Sequence, residues 1–236
     1  MSNIQISFMI SELLAAVSGI IYIMKYREDK SARYFVYFLW LTVIVETVGL
    51  VPILIDKNPN FSYLRHTLLA KNSWLYNIHT VVSYITYMYF FSLNVRKYKY
   101  SILLKNIAKG FFLFSCLYFF FTNDFFELHS SVIIILGTIL LFLSVFIYFL
   151  ELLNSDEILR VGNILPFYIA FGSIIFHLCV TPIFIFLKFF STSKFPEFVK
   201  LYQMIIPYAI IFMYTCYTIG FIICSRKKKS YLLPTS

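Results

Sequence analysis

The chain has 236 residues, of which 60% are hydrophobic, 21% aromatic and only 13% charged. Its mean hydropathy of +0.80 means more apolar surface than a domain of this size can bury, which excludes a water-soluble globular protein. The net charge of +9 comes from basic residues bunched between apolar runs, which suits anionic lipid headgroups and excludes a nucleic-acid role.

A helical crossing of the bilayer core takes about 20 mostly apolar residues. Such runs are expected near 5–25, 34–55, 75–94, 107–122, 131–153, 164–189 and 201–224. Runs this long and unbroken leave helices as the spanning solution. The expected fold is therefore all-α, one polytopic domain over 1–236 built as a bundle of seven transmembrane helices.

The first run has no basic residue ahead of it and is interrupted by Glu12, so it reads as a retained span and not a cleaved signal peptide. In the second, Glu46 lies near the middle, on one face with Thr42 and Gly49 by helical spacing. A charge at that depth costs several kcal/mol unless it is paired or hydrated, and the small Gly49 lets a neighbouring helix approach it. Glu12 and Glu46 are thus the first two candidate ligand-binding residues. The segment between the second and third runs contains an amphipathic stretch, 61–69, suited to lie at the interface as a turn or partial lid.

The third run places Asn77, Thr80, Tyr84 and Tyr87 in one stripe, with His79, Ser83 and Thr86 assigned to another face. Asn77, whose amide donates, is the expected partner of a carboxylate, with Tyr84 further along the same stripe; His79 reads as a satisfied interfacial histidine. The fourth run is rich in phenylalanine, without polar handles, and is expected at the lipid-facing rim. In the fifth, Gly137, Leu141, Ser144, Tyr148 and Glu151 share a stripe, and Glu151 is expected to be solvated or paired with Arg33 or Arg160. The sixth carries Ser173, His177 and Thr181 with Pro182; the seventh carries Gln203 and Pro207. Each proline leaves a carbonyl four residues back without its usual donor, so Pro182 and Pro207 are candidate hinges. Glu12, Glu46, Asn77, His177 and Gln203, brought to similar depth by five spans, are expected to outline a pocket at the outer leaflet.

Lys and Arg counts orient the chain, since loops rich in them stay cytoplasmic. With the N-terminus outside, 14 of the 20 basic residues fall on the cytoplasmic side, including Arg96, Lys97 and Arg226. The C-terminus is then cytoplasmic. Cys116, Cys179, Cys216 and Cys224 all lie in spans without paired spacing and are expected as buried, inert thiols. The last span has no lysine for a retinal Schiff base, and the four histidines show no H-x-x-x-H spacing. Neither a cofactor nor a metal site is expected.

Glu46, the run Trp74-Leu75-Tyr76-Asn77-Ile78-His79-Thr80 and the run Tyr148-Phe149-Leu150-Glu151 occur in an order that resembles a family of uncharacterised bacterial seven-transmembrane-helix proteins. That resemblance implies a bacterial cytoplasmic (inner) membrane and marks Glu46, Asn77 and Glu151; it implies no activity. The residues leave three functions open. One is a receptor-like or sensor-like protein whose pocket takes a small-molecule or lipid ligand and signals to a cytoplasmic protein partner. Another is a small proton- or cation-coupled transporter using Glu46. The third is an intramembrane lipid-modifying enzyme with Glu46 and His177 as acid and base.

Overall fold

The computed structural model describes residues 3–57, 63, 67, 70–122, 124–127, 130–186 and 196–227. The elements described are all helical. In chain order they are α1 (Asn3–Lys25), α2 (Lys30–Gly49), α3 (Val51–Lys57), α4 (Ser73–Asn94) and α5 (Tyr98–Phe121). There follow α6 (Asp124–Glu127), α7 (Ser131–Leu153), a 3-10 segment (Asp156–Asn163), α8 (Leu165–Phe186) and α9 (Pro196–Lys227). Six stretches are long and apolar enough to cross a membrane, from α1, from α2 with α3, and from α5, α7, α8 and α9. The chain is accordingly an integral membrane protein by helix length and composition. At 22 residues α4 is as long as these, but Asn77, His79, Thr80, Ser83 and its tyrosines keep it out of that set.

The helix ends follow from local chemistry. Asp29 caps α2 by accepting from the Ala32 amide at 3.1 Å, and Ser130 caps α7 by accepting from Ile133 at 3.4 Å. The expected second span, 34–55, is broken at Leu50. Pro52 has no N–H to return to Val48, and the chain resumes as α3. The fourth span starts earlier than expected, because α5 runs from Tyr98 through Lys99, Lys105 and Lys109.

Successive long helices reverse direction. At one end of the bundle Lys25 Nζ donates to the Ser225 carbonyl, Ser31 to Asn94 at 3.2 Å, and Arg96 pairs with Glu157 at 2.5 Å. At the other end Asn72 donates to the Gly49 carbonyl at 3.2 Å and Asn77 to the carbonyls of Asp124 and Phe125. The middle is an aromatic core of Phe35, Phe90, Phe91, Tyr217 and Phe221, all fully buried.

Small residues set the closest approaches. A Cβ on Gly220 would lie 2.7 Å from the Tyr168 Cβ, and one on Gly172 would lie 3.1 Å from the Met213 carbonyl, so α8 and α9 meet almost backbone to backbone.

The Glu151 carboxylate accepts the backbone amides of Arg96 at 2.6 Å and Lys97 at 3.1 Å, tying the α4–α5 turn to the end of α7. One expectation, that of four buried cysteines, is corrected here. Of the cysteines, Cys224 is buried, whereas Cys116 and Cys179 face outward, because the apolar surroundings of a span do not require burial in protein. As expected of a helix at the rim, α5 exposes Phe112, Phe120 and Phe121, while Phe111 packs edge-on against Tyr84. Most of the amphipathic stretch 61–69 lies outside the described residues.

Candidate ligand cavity

The end of the bundle that holds Asn72 and Asn77 opens into a cavity of about 340 Å³ walled by six helices. From α1 come Phe8 and Glu12, and from α2 Phe38, Thr42 and Glu46. The largest contribution is from α4, with Tyr76, His79, Thr80, Ser83, Tyr84 and Tyr87. Ile134 of α7 and, from α8, His177 and Thr181 close one side; Pro207, Met213 and Tyr214 of α9 close the other.

The α4 contribution follows from helical geometry. At about 100° per residue, positions 76, 79, 80, 83, 84 and 87 fall in one stripe roughly 140° wide. His79 and Ser83 therefore share the cavity face with Tyr84 instead of lying on a separate one. Asn77 sits just beyond the edge of that stripe.

The two carboxylates have different partners. Glu46 accepts a hydrogen bond from the Tyr76 hydroxyl at 3.1 Å. Glu12 is 2% exposed, and its Oε1 has no hydrogen-bond partner among the described residues. The histidines are held by neighbours. His79 stacks on Phe38 with ring centroids 5.8 Å apart, and its Nε2 lies 3.0 Å from Thr42 Oγ1. The Thr42 hydroxyl also donates to the Phe38 carbonyl at 3.0 Å. With its one proton used there, the hydroxyl accepts from His79, which puts the imidazole hydrogen on Nε2 and leaves Nδ1 as an acceptor.

His177, 9% exposed, lies with Nδ1 3.4 Å from the Tyr84 hydroxyl. Tyr84 donates to the Ile134 carbonyl at 3.1 Å and accepts from the Thr138 hydroxyl at 2.8 Å. Thr138 continues to Thr181 at 3.0 Å, so α4, α7 and α8 are linked by one chain of hydroxyls. The cavity ends on the aromatic core. Tyr87 and Tyr217 share a hydrogen bond at 2.8 Å, and Phe35 packs against Tyr87, Phe90 and Tyr217 with centroids 5.0 to 5.9 Å apart. Beyond that floor a second cavity, of about 570 Å³, is lined by Asp29, Arg96, Tyr148, Glu157, Arg160 and Cys224 among others.

Of the residues singled out from the sequence, Glu12, Glu46, Tyr84, His177 and Pro207 line the cavity. Asn77 does not: its amide donates at 3.1 and 3.0 Å to the Asp124 and Phe125 carbonyls, and its oxygen accepts from Ser130 at 3.4 Å. The expected partner of the carboxylate is thus replaced by Tyr76, one residue earlier. Gln203 and Pro182 are exposed and lie off the cavity wall, because each sits on the outward face of its helix. Thr42, Tyr76, His79, Phe38 and Tyr214 belong to the wall and were not singled out as ligand contacts; for Tyr76 and His79 the signal was present, as the spacing that runs through Thr80 and Tyr84. Of the three positions marked by the family resemblance, Glu46 alone faces the cavity, while Asn77 and Glu151 secure turns. Among the described residues no group of His, Cys, Asp or Glu is arranged to hold a metal ion. Comparison with protein-family models, with curated proteins and with solved structures finds no match.

Proposed function

We propose that this integral membrane protein is a receptor-like or sensor-like ligand-binding protein whose site is the cavity around Glu12 and Glu46. The observation that carries the reading is a small-molecule-sized space, about 340 Å³, walled by six helices and ending on a fully packed aromatic floor. Pockets for small ligands fall in roughly the 300–1,000 Å³ range and combine apolar walls with a few placed polar groups. A floor of Phe35, Phe90, Tyr217 and Phe221 favours sensing over conduction, since nothing passes it without repacking the core. The route for a signal is α9, which lines the cavity at Pro207 and Tyr214, the floor at Tyr217 and Phe221, and the far cavity at Cys224. Pro207 sits where α9 meets the ligand space, so occupancy acts on a helix that already lacks one internal hydrogen bond.

This reading includes a seventh crossing by α4, an N-terminus outside, and the basic end of the bundle in the cytoplasm of a bacterium, where a protein partner would read the far end of α9. Burial of Asn77, Thr86 and Ser92 against neighbouring helices supports the crossing, because buried polar groups within the bundle do not meet lipid. Bunching of Lys25, Arg27, Lys30, Arg33, Arg96 and Lys97 at one end supports the orientation.

The test is native mass spectrometry of the protein released from native-membrane nanodiscs, comparing wild type with Glu46→Gln. A non-protein mass carried by wild type and lost in the variant is the expected result. Identical spectra without any bound mass would remove the cavity as a resident ligand site. The second cavity on the opposite side of the floor favours one other reading, a transporter that opens to each side in turn; Glu46-dependent uptake into liposomes would select it.

A further inference from the structure

The chemistry of the cavity wall narrows what it takes. Two carboxylates from different helices, Glu12 of α1 and Glu46 of α2, face one space, and among the described residues no lysine or arginine lines it. Glu46 accepts from Tyr76. Glu12 is almost wholly withdrawn from water, yet its Oε1 accepts from nothing among the described residues. A buried carboxylate oxygen without a donor is costly, and a ligand that brings a donor recovers that cost. Around the acids stand the rings of Phe8, Phe38, Tyr76 and Tyr214, whose faces attract a cation once it has left water.

We propose that the cavity is a site for a small organic cation, a protonated amine on an apolar body, with Glu12 as its principal anchor and Glu46 as the second charge. The inference rests on the reading that the cavity binds a ligand and names the class of that ligand. The charged head lies between the two carboxylates, where an N–H donates to Glu12 Oε1. The apolar body extends toward Phe176, Ile206 and Ile210 on α8 and α9. A neutral ligand of the same shape offers Glu12 at most an uncharged donor, and an anion brings a like charge to two acids, so both are disfavoured at this wall. A metal ion is a poorer fit, since the described residues gather no third ligand of the carboxylate, imidazole or thiolate kind.

The experiment uses the full chain in nanodiscs and three probes of nearly one shape, titrated by calorimetry: phenethylamine, 2-phenylethanol and phenylacetate. Wild type is expected to bind the amine at least about tenfold more tightly than the alcohol and to show no heat with the acid, the difference that one charge-assisted hydrogen bond supplies. Glu12→Gln, which keeps shape and removes charge, is expected to cut the amine's advantage over the alcohol by about tenfold, with Glu46 supplying what preference is left. Equal binding of amine and alcohol by wild type overturns the cation assignment and leaves the cavity standing as a ligand site. Binding of the acid in preference to the amine does the same. Absence of binding by all three probes, together with empty native spectra, overturns both the assignment and the ligand-binding reading. The ranking of the three probes on wild type decides the matter even where the variant fails to fold.

Discussion

Gly137 and Gly49 stand beside two tyrosines of the cavity wall, and they differ in how much room the ring has to move. A Cβ on Gly137 would overlap the Tyr84 ring, which is pinned by Ile134, Thr138 and His177. Gly137→Ala is therefore expected to destabilise the protein by about 1–3 kcal/mol, the usual cost of overpacking; reversible unfolding in mixed micelles measures it. A Cβ on Gly49 would instead meet the Tyr76 hydroxyl, the tip of a side chain and not the face of its ring. Gly49→Ala is expected to leave stability within about 1 kcal/mol and to push Tyr76 off Glu46. Its effect on phenethylamine affinity should then match that of Tyr76→Phe, with the double variant no different from either single one. Additive effects would mean that the glycine does not act through this hydroxyl. At this scale the sequence was informative about which residues carry charge, and silent about partners. Glu46 stood out by depth alone, but its donor is Tyr76 and not Asn77, because adjacent residues of a helix point about 100° apart and only the rotation of α4 decides which of them faces α2.

Elements are held to one another by side chains that bond backbone. Asn77 ties α4 to α6 and the start of α7 through three bonds to main-chain atoms. Asn77→Ala leaves two carbonyls and an amide to find other partners, for an expected loss of about 1–3 kcal/mol per group left unsatisfied. Glu151 does the same for the α4–α5 turn. Glu151→Ala is expected to raise amide hydrogen exchange at Arg96 and Lys97 by tenfold or more, while exchange within α4 stays unchanged. An unchanged rate at those two amides would show that the turn is ordered without the carboxylate. Both residues belong to the motif runs visible in the sequence, and in both the role is structural. Short polar motifs at span ends mark places where backbone groups need partners as readily as places where ligands bind.

The whole molecule has two unlike ends, one with the acidic and aromatic cavity and one with the basic turns and Arg96–Glu157. With native cysteines removed, single cysteines at Glu28, Lys97 or Asn154 are expected to be shielded from a membrane-impermeant maleimide in intact cells, and those at Lys57 or Lys71 to be labelled. In the proposed topology α4 crosses between Lys71 and Lys97; labelling of both positions from the same side would end the seventh crossing. At this scale the polar character of α4 is explained by its position. It packs against α2, α5 and α7, so it needs little lipid-compatible surface and supplies much of the cavity wall.

Composition and hydropathy by themselves determined that the chain is a helical membrane protein, roughly where each long helix runs and which turns are basic. These properties are additive along the chain, since the bilayer sets a minimum length of apolar residues and loops are sorted by their charges. The tertiary structure alone decided which polar groups meet. In a membrane helix nearly every face is apolar, so hydropathy carries little information about rotation around the helix axis, and close packing at residues such as Gly137, Gly172 and Gly220 fixes it instead. That rotation turned Glu12, Glu46, His79 and His177 into one cavity, and Gln203 and Asn77 away from it.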